Sequence, residues 1–240
     1  MRWRRPSFRL GGLILAAIWL MVAGAQGMGA QQLDNATAVA RVDAAVKARI
    51  EHIAEYTVTE HYAVFRGSDE SHPAAEMTVK TVYRKDHGKS YTTLAESGSS
   101  LLRSQVLGKV LENEKQMSLP GNREGALITS TNYEMKLNSG RQMLEGRECL
   151  TLNLTPRRNS PSLFKGTLWV DAQDFSIVQL EGVATKSHSM LTGPAQVMRQ
   201  YARVSGFAMA THARAVSSSS LLGQTIVKID YLGYEIKLRE

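Results

Sequence analysis

The stretch Gly146–Thr185, GRECLTLNLTPRRNSPSLFKGTLWVDAQDFSIVQLEGVAT, decides the fold. Apolar and polar residues alternate along three short runs, Cys149–Thr155, Gly166–Asp171 and Ser176–Glu181, and a period of two predicts β-strands. The segment Ala172–Phe175 forms the turn between the last two runs. A sheet built from such strands has one apolar face, and other parts of the chain must cover that face.

Outward from this stretch, the sequence predicts a long series of strands interrupted by helices. A helix is expected over residues 34–55, where apolar residues recur every three or four positions (Val39, Val42, Val46, Ile50 and Ile53). From Tyr56 the period becomes two, and three strands follow. Helical spacing returns over residues 99–116, and strand-like runs continue to the end, with Gly233 separating the last two. We therefore expect one α+β domain with about ten antiparallel strands in a single sheet, an N-terminal helix and inserted helices.

The first 25 residues have the three parts of a secretory signal peptide. Four arginines precede an apolar run, Leu10–Gly24, and Ala23–Ala25 forms a small-residue cleavage site. The apolar run is short for a spanning helix. We expect cleavage after residue 25, export by the general secretory route, and a mature domain over residues 26–240 in the periplasm or outside the cell. An uncleaved membrane anchor is the alternative.

The formal charge of +7 is partly a property of this signal peptide. Four of the 29 basic residues lie within it, which leaves 25 basic against 22 acidic side chains in the rest of the chain. With export, this near balance argues against nucleic acid as a partner. The single cysteine, Cys149, cannot form an internal disulfide, so a monomer of this size must be held together by its core.

No arrangement of residues typical of catalysis or metal binding occurs in the sequence. The six histidines lack metal-ligand spacing, and no G-x-S-x-G nucleophile motif is present. Gly88-Lys89-Ser90 has the end of a phosphate loop but lies in a predicted hairpin. We therefore expect no enzyme activity, no metal and no cofactor.

The apolar alternation has two interpretations that the sequence leaves open. The helices either pack flat on the sheet as an ordinary core, or they cover a curved sheet incompletely and leave a cavity for a lipid chain. Arg157 and Arg158, at a strand end, likewise have two interpretations. They are either solvated loop residues or cations at the rim of a binding site.

A family resemblance is carried by Gly146–Arg157, GRECLTLNLTPR, and by the hairpin that includes Thr167–Asp171 and Ile177–Glu181. These segments, and the order of elements over about 200 residues, resemble the LolA-like superfamily. This superfamily includes outer-membrane lipoprotein carriers, lipoprotein-sorting proteins, mycobacterial lipid carriers and the periplasmic regulator RseB. The resemblance implies an open half-barrel with helices as a lid over a hydrophobic groove, and binding without catalysis. It gives no functional residues for this chain.

Together these observations predict an exported protein that holds an acyl chain or a lipoprotein in a hydrophobic groove. An RseB-like sensor or interaction module that regulates a membrane-protein partner is the alternative. The predicted groove residues face one side of the strands or the inserted helix, with the two arginines at the rim. They are Val58, Tyr62, Val64, Val79, Tyr83, Leu102, Val106, Leu152, Leu154, Leu168, Val170, Val178, Leu180, Arg157 and Arg158.

Overall fold

The structure is a computed structural model that describes residues 33–186, 193–219 and 223–239. The predicted signal peptide lies outside these residues, as does most of the segment before the strand that begins at Gln196. The strands are β1 (Ile53–Arg66), β2 (Ala75–Arg84), β3 (Gly88–Gly98), β4 (Tyr133–Leu137), β5 (Gln142–Leu144), β6 (Arg147–Pro156), β7 (Phe164–Asp171), β8 (Ile177–Ala184), β9 (Gln196–Val204), β10 (Phe207–Ser219) and β11 (Gly223–Leu238).

Helices occur in two places among the described residues. The first is α1 (Asn35–His52), before the sheet. The second, called here the helical insertion, covers residues 100–126 between β3 and β4. It consists of α2 (Ser100–Leu102), a π-helical turn (Arg103–Leu107), α3 (Gly108–Ser118), α4 (Pro120–Arg123) and a 3-10 turn (Glu124–Ala126).

The described strands form one open antiparallel sheet in the order β3-β2-β1-β11-β10-β9-β8-β7-β6-β4, with β5 paired to β6. The predicted fold class is thereby confirmed: a single antiparallel sheet, an N-terminal helix and inserted helices. Because β1 pairs with β11, the first and last strands meet in the middle of the sheet. The strands from the opening stretch, β6 to β8, lie on one side of this junction, together with β9 and β10.

Helix α1 begins where predicted and ends three residues early. The Asp34 side chain accepts a hydrogen bond from the Thr37 backbone N–H at 2.8 Å, as an N-cap does. The helix ends at His52 because Ile53 already pairs with Leu238 of β11. Its buried residues are Ala38, Val42 and Val46, so the apolar stripe faces the sheet as expected.

One predicted strand boundary was wrong, and one short strand was not predicted. The expected break at Gly233 is instead a bulge inside one 16-residue strand, β11. Gly233 has a φ of 67°, and the pairing with β1 shifts register between Thr57 and Thr59. Glycine adopts this left-handed conformation without strain, so the strand bends and continues. The three-residue strand β5 was not predicted because it is too short to show a period.

The inner face of the sheet is covered by two separate hydrophobic clusters. In the first, α1 packs on β4, β6, β7 and β8, with Leu152, Leu154 and Leu168 at its centre. In the second, the helical insertion packs on β1, β2 and β11 through Leu102 and Leu107. The central strands β9 and β10 lie between these two regions, which is where the candidate site is found.

Candidate functional site

A cavity of about 950 Å³ lies between α1, the helical insertion and the inner face of β8 to β11. Its lining includes Val46 and Ile50 from α1, Leu102 and Val106 from the insertion, and Ile229 from β11. Apolar side chains predominate on the walls from α1 and the sheet, whereas the helical insertion contributes both apolar and polar side chains. This volume is at the upper end of what protein ligand sites enclose, and an apolar lining is typical of them.

The cavity exists because side-chain size changes along one row across the sheet. Directly paired residues in this row run Leu152, Leu168, Leu180, Arg199, Ala213, Ile229 and Tyr62. Leucines on β6 to β8 reach α1 and fill the space beneath it. Ala213 on β10 cannot reach a covering helix, and space remains above it. The next row continues the pattern, with Val197 opposite Ala215.

A cluster of buried charges connects the helical insertion to the sheet beside the cavity. Glu60 on β1 is fully buried and accepts a hydrogen bond from the Tyr62 hydroxyl. Lys89 Nζ on β3 lies 3.5 Å from Glu60 Oε1 and 2.6 Å from Glu114 Oε2 on α3. Arg199 on β9 lies 3.5 Å from Glu114 Oε1. The four side chains carry two positive and two negative charges, so the cluster is balanced.

The protonation states in this cluster follow from its charges. Burial opposes the charged form of Lys89, but the carboxylates of Glu114 and Glu60 outweigh it and hold the pKa of Lys89 well above its ordinary value. Burial likewise opposes ionisation of Glu114. The charges of Lys89 and Arg199 overcome this and lower the pKa of Glu114 below its ordinary value. Lys89, Glu114 and Arg199 are therefore all ionised at neutral pH. The buried charge of each side chain is compensated by the opposite charges beside it.

Aromatic side chains form another part of the cavity wall. The ring of Tyr56 stacks on Tyr83 with a centroid distance of 4.9 Å and meets the edge of Tyr234 at 5.7 Å. Arg123 Nη1, from the end of the insertion, donates to the Tyr83 hydroxyl at 2.6 Å and to the Lys85 carbonyl at 3.0 Å. Packed aromatic pairs of this kind stabilise their surroundings beyond simple burial.

The structure distributes the sequence-predicted groove residues over several places. Four of them line the cavity: Tyr83, Leu102, Val106 and Leu180. Most of the others are buried in the two clusters, which for the first cluster means Leu152, Leu154, Leu168 and Val170, and for the second Val58, Tyr62, Val64 and Val79. Val178 is buried at a register shift between β7 and β8.

The two predicted rim arginines fasten loops and do not line the cavity in the described part of the chain. Arg157 Nε donates to the Ser130 carbonyl at 2.9 Å. Arg158 donates to Asn132 Oδ1 at 2.7 Å and to the Gly125 carbonyl, which holds the end of the helical insertion against the start of β4. Both side chains are bound to neighbouring main-chain or amide groups, although the residues themselves are exposed.

Sequence reasoning missed the small residues that make room for the cavity. Ala208, Ala210, Ala213, Ala215 and Ser217 on β10 all line it. They fall in two alternating sets of FAMATHARAVSSS, Ala208 and Ala210 before the register shift between Ala210 and His212, and Ala213, Ala215 and Ser217 after it. We predicted the groove from large apolar residues, but those residues fill space, and a cavity needs positions that leave it empty.

Metal-ligand clusters and membrane-spanning helices do not occur within the described residues. No group of three or more histidine, cysteine, aspartate or glutamate side chains is placed there to hold a metal ion. In the same residues, no helix is both long and apolar enough to cross a membrane.

Comparisons with known proteins found similarity to solved structures at low sequence identity. No family model and no curated relative matches the chain. Among solved structures, it is similar to a LolA superfamily protein from Nitrosomonas europaea, at 14% identity and a TM-score of 0.41, covering 87% of this chain and 94% of the other. It is also similar to a putative outer membrane lipoprotein-sorting protein domain from Vibrio parahaemolyticus, at 13% identity and a TM-score of 0.45, covering 85% and 94%.

A third solved structure that matches is MucB in complex with MucA(peri), at 11% identity and a TM-score of 0.25, covering 85% of this chain and 94% of the other. Because these sequence identities are low, we infer the ligand from the residues of this chain.

Proposed function

We propose that this protein is an exported, non-catalytic binding protein that holds an acyl chain, free or attached to a lipoprotein, in the cavity above β9 and β10. It would act in lipid or lipoprotein trafficking in the periplasm. The observation that carries the proposal is the apolar cavity of about 950 Å³ between two helical covers. The solved structures to which the chain is similar include a LolA superfamily protein and a putative outer membrane lipoprotein-sorting protein domain.

The shape and chemistry of the cavity suit a long apolar chain. Burial of each methylene group contributes about 0.8 kcal/mol, so a long chain gains affinity without many polar contacts. The walls belong to separate elements, α1, the helical insertion and the sheet, which meet around the cavity.

The test is to fill the cavity with one side chain. Ala215 on β10 lines the cavity and is paired with Val197 and Val227, which also line it. In Ala215→Trp the indole would occupy ligand space. The matched control is Ala95→Trp, at an exposed position on the edge strand β3. Each protein is purified from a periplasm for native mass spectrometry, then stripped of lipid and titrated with a fluorescent fatty-acid probe.

We expect the wild type and Ala95→Trp to carry co-purifying lipid or to bind the probe at one molecule per chain, and Ala215→Trp to lose binding while remaining folded. If the wild type neither carries lipid nor binds the probe, the proposal is wrong. A co-purifying membrane protein in place of lipid would favour the alternative, an RseB-like sensor or interaction module.

A further inference from the structure

Arg123 places a positive charge at the cavity wall that no carboxylate of the described residues neutralises. The described ion pairs involve other basic residues, and none includes Arg123. Its only hydrogen bonds run from Nη1 to a hydroxyl and a carbonyl. Outside the described residues, the sequence contains a single acidic side chain, Glu240.

The remaining donors of Arg123 have no acceptor in the described part of the chain. Nε is shielded from solvent and makes no hydrogen bond, and no described group accepts from Nη2. A buried donor without a partner costs more than a hydrogen bond gains, which makes such an atom a marker of a missing acceptor. The N–H bonds of Nε and Nη2 lie in the guanidinium plane and point in the same direction along one edge of the group. This edge matches the two oxygens of a carboxylate or phosphate.

Arg123 differs from Arg199, whose Nε is also buried without a partner, because Arg199 pairs with Glu114. Lys89 and Arg199 also line the cavity, but they are compensated by Glu60 and Glu114. Arg49 and Lys109 also line the cavity and make no ion pair within the described residues, and the acidic residues of the described lining are Glu114 and Asp174. The cavity therefore combines apolar walls with an uncompensated cation, which is the complement of an amphiphile with a negative head group.

We infer that the cavity selects amphiphiles with a compact anionic head group, a carboxylate or a phosphate, which pairs with Arg123 while the chain occupies the apolar space. This inference rests on the proposed function, because it assigns the class of ligand for the same cavity. The Tyr83 hydroxyl and the Lys85 carbonyl hold Nη1, so the guanidinium is fixed in place before the ligand arrives.

The test compares palmitate with methyl palmitate, which has the same chain but no charge, by displacement of a neutral fluorescent probe. Four proteins are needed: wild type, Arg123→Gln, Arg123→Lys, and the control Arg84→Gln. Arg84 is next to Tyr83 but 60% of its side chain is exposed, and it pairs with Glu55 away from the cavity. Sodium acetate serves as a free anion.

We expect the wild type and Arg84→Gln to bind palmitate about 10- to 100-fold more tightly than the ester, as for one charged hydrogen-bonded pair. Arg123→Gln should bring that ratio close to one while the ester affinity is unchanged, which also shows that the cavity is intact. Arg123→Lys should restore part of the ratio. Acetate should not compete at millimolar concentration.

The inference is wrong if the wild type binds both ligands equally, if Arg123→Gln weakens both equally, or if acetate competes as well as palmitate. These outcomes differ from a failure of the proposed function, in which neither palmitate nor its ester binds to the wild type.

Discussion

The inner face of the sheet has two halves with the same backbone pattern. One half is a packed core, and the other borders a cavity. On β6 to β8 the inward positions carry leucines, and α1 closes over them into a packed core. On β10 the equivalent positions carry alanine and serine, and the helical covers leave about 950 Å³ above them. Inward and outward side chains alternate along the strands in both halves, with a register shift in β10 between Ala210 and His212. The difference shows that alternation determines which side chains point inward, and that side-chain volume determines whether the interior is filled.

The largest expected effect is in the leucine half. Leu154 is 1% exposed and belongs to the cluster beneath α1. Leu154→Glu would bury a carboxylate among leucines without a partner, a cost that exceeds the stability of many domains. We expect loss of the cooperative urea unfolding transition seen by circular dichroism. Thr155→Glu, one residue along and exposed, is the control and should unfold like the wild type. A well-folded Leu154→Glu protein would mean that this half is not a packed core.

An intermediate effect is expected when the same enlargement is made in each half. Ala38 of α1 is fully buried against the leucine cluster, and Ala213 of β10 lines the cavity. Ala38→Leu should lower the free energy of unfolding by about 1–3 kcal/mol because the core is already filled. Ala213→Leu should lower it little or raise it, because the added methyl groups enter empty space and are buried there. If urea titrations showed the same loss of unfolding free energy in both variants, the two halves would not differ in packing as described.

The smallest expected effect concerns the outer surface of the cavity half. Glu70, from the loop after β1, bridges Arg214 on β10 and Lys228 on β11, with the Lys228 contact at 2.7 Å. Hydrogen bonds from Arg214 and then Lys228 lower the pKa of Glu70 from 4.5 to about 2. Because the folded-state pKa is depressed, this bridge stabilises the fold above about pH 4.5, and its contribution is lost as the pH falls towards 2.

We therefore expect Glu70→Gln to be slightly less stable than the wild type at pH 6, with a difference that shrinks between pH 4.5 and 2. Thermal unfolding at a series of pH values would measure it. Glu134→Gln, an exposed acid on β4, is the control and should show no such dependence. A difference for Glu70→Gln that stays constant down to pH 2 would contradict the assignment.

The sequence anticipated the fold better than the site. Period-two runs and the helical stripe of Val42 and Val46 identified nearly every element, because both patterns are local. The wrong boundary at Gly233 depends on pairing with the distant strand β1, and β5 was missed because three residues are too few to show a period. The site was placed on residues such as Leu152 and Val79 because large apolar side chains are the visible signal. The local sequence around Leu152 or around Val79 does not show that these residues are buried in two separate clusters.

The charged part of the site was the hardest to foresee. Glu60, Lys89, Glu114 and Arg199 come from four elements spread over 140 residues, and none is distinctive within its own segment. Lys89 was correctly placed near a hairpin and dismissed as a turn residue. Only the folded chain brings Lys89 of β3 and Arg199 of β9 to Glu114 of α3. Burial lowers the pKa of both cations, but nearby acidic groups, Glu114 among them, outweigh it and raise each pKa above its ordinary value.

By itself the sequence determined an α+β domain with one antiparallel sheet, one apolar face and helices to cover it, because alternation and helical spacing depend on neighbours along the chain. The tertiary structure decided where that face is filled and where it is hollow, because this depends on which strands α1 and the helical insertion reach. It also decided that Arg123 is left without a carboxylate at the cavity wall, since charge compensation is a matter of distances in space.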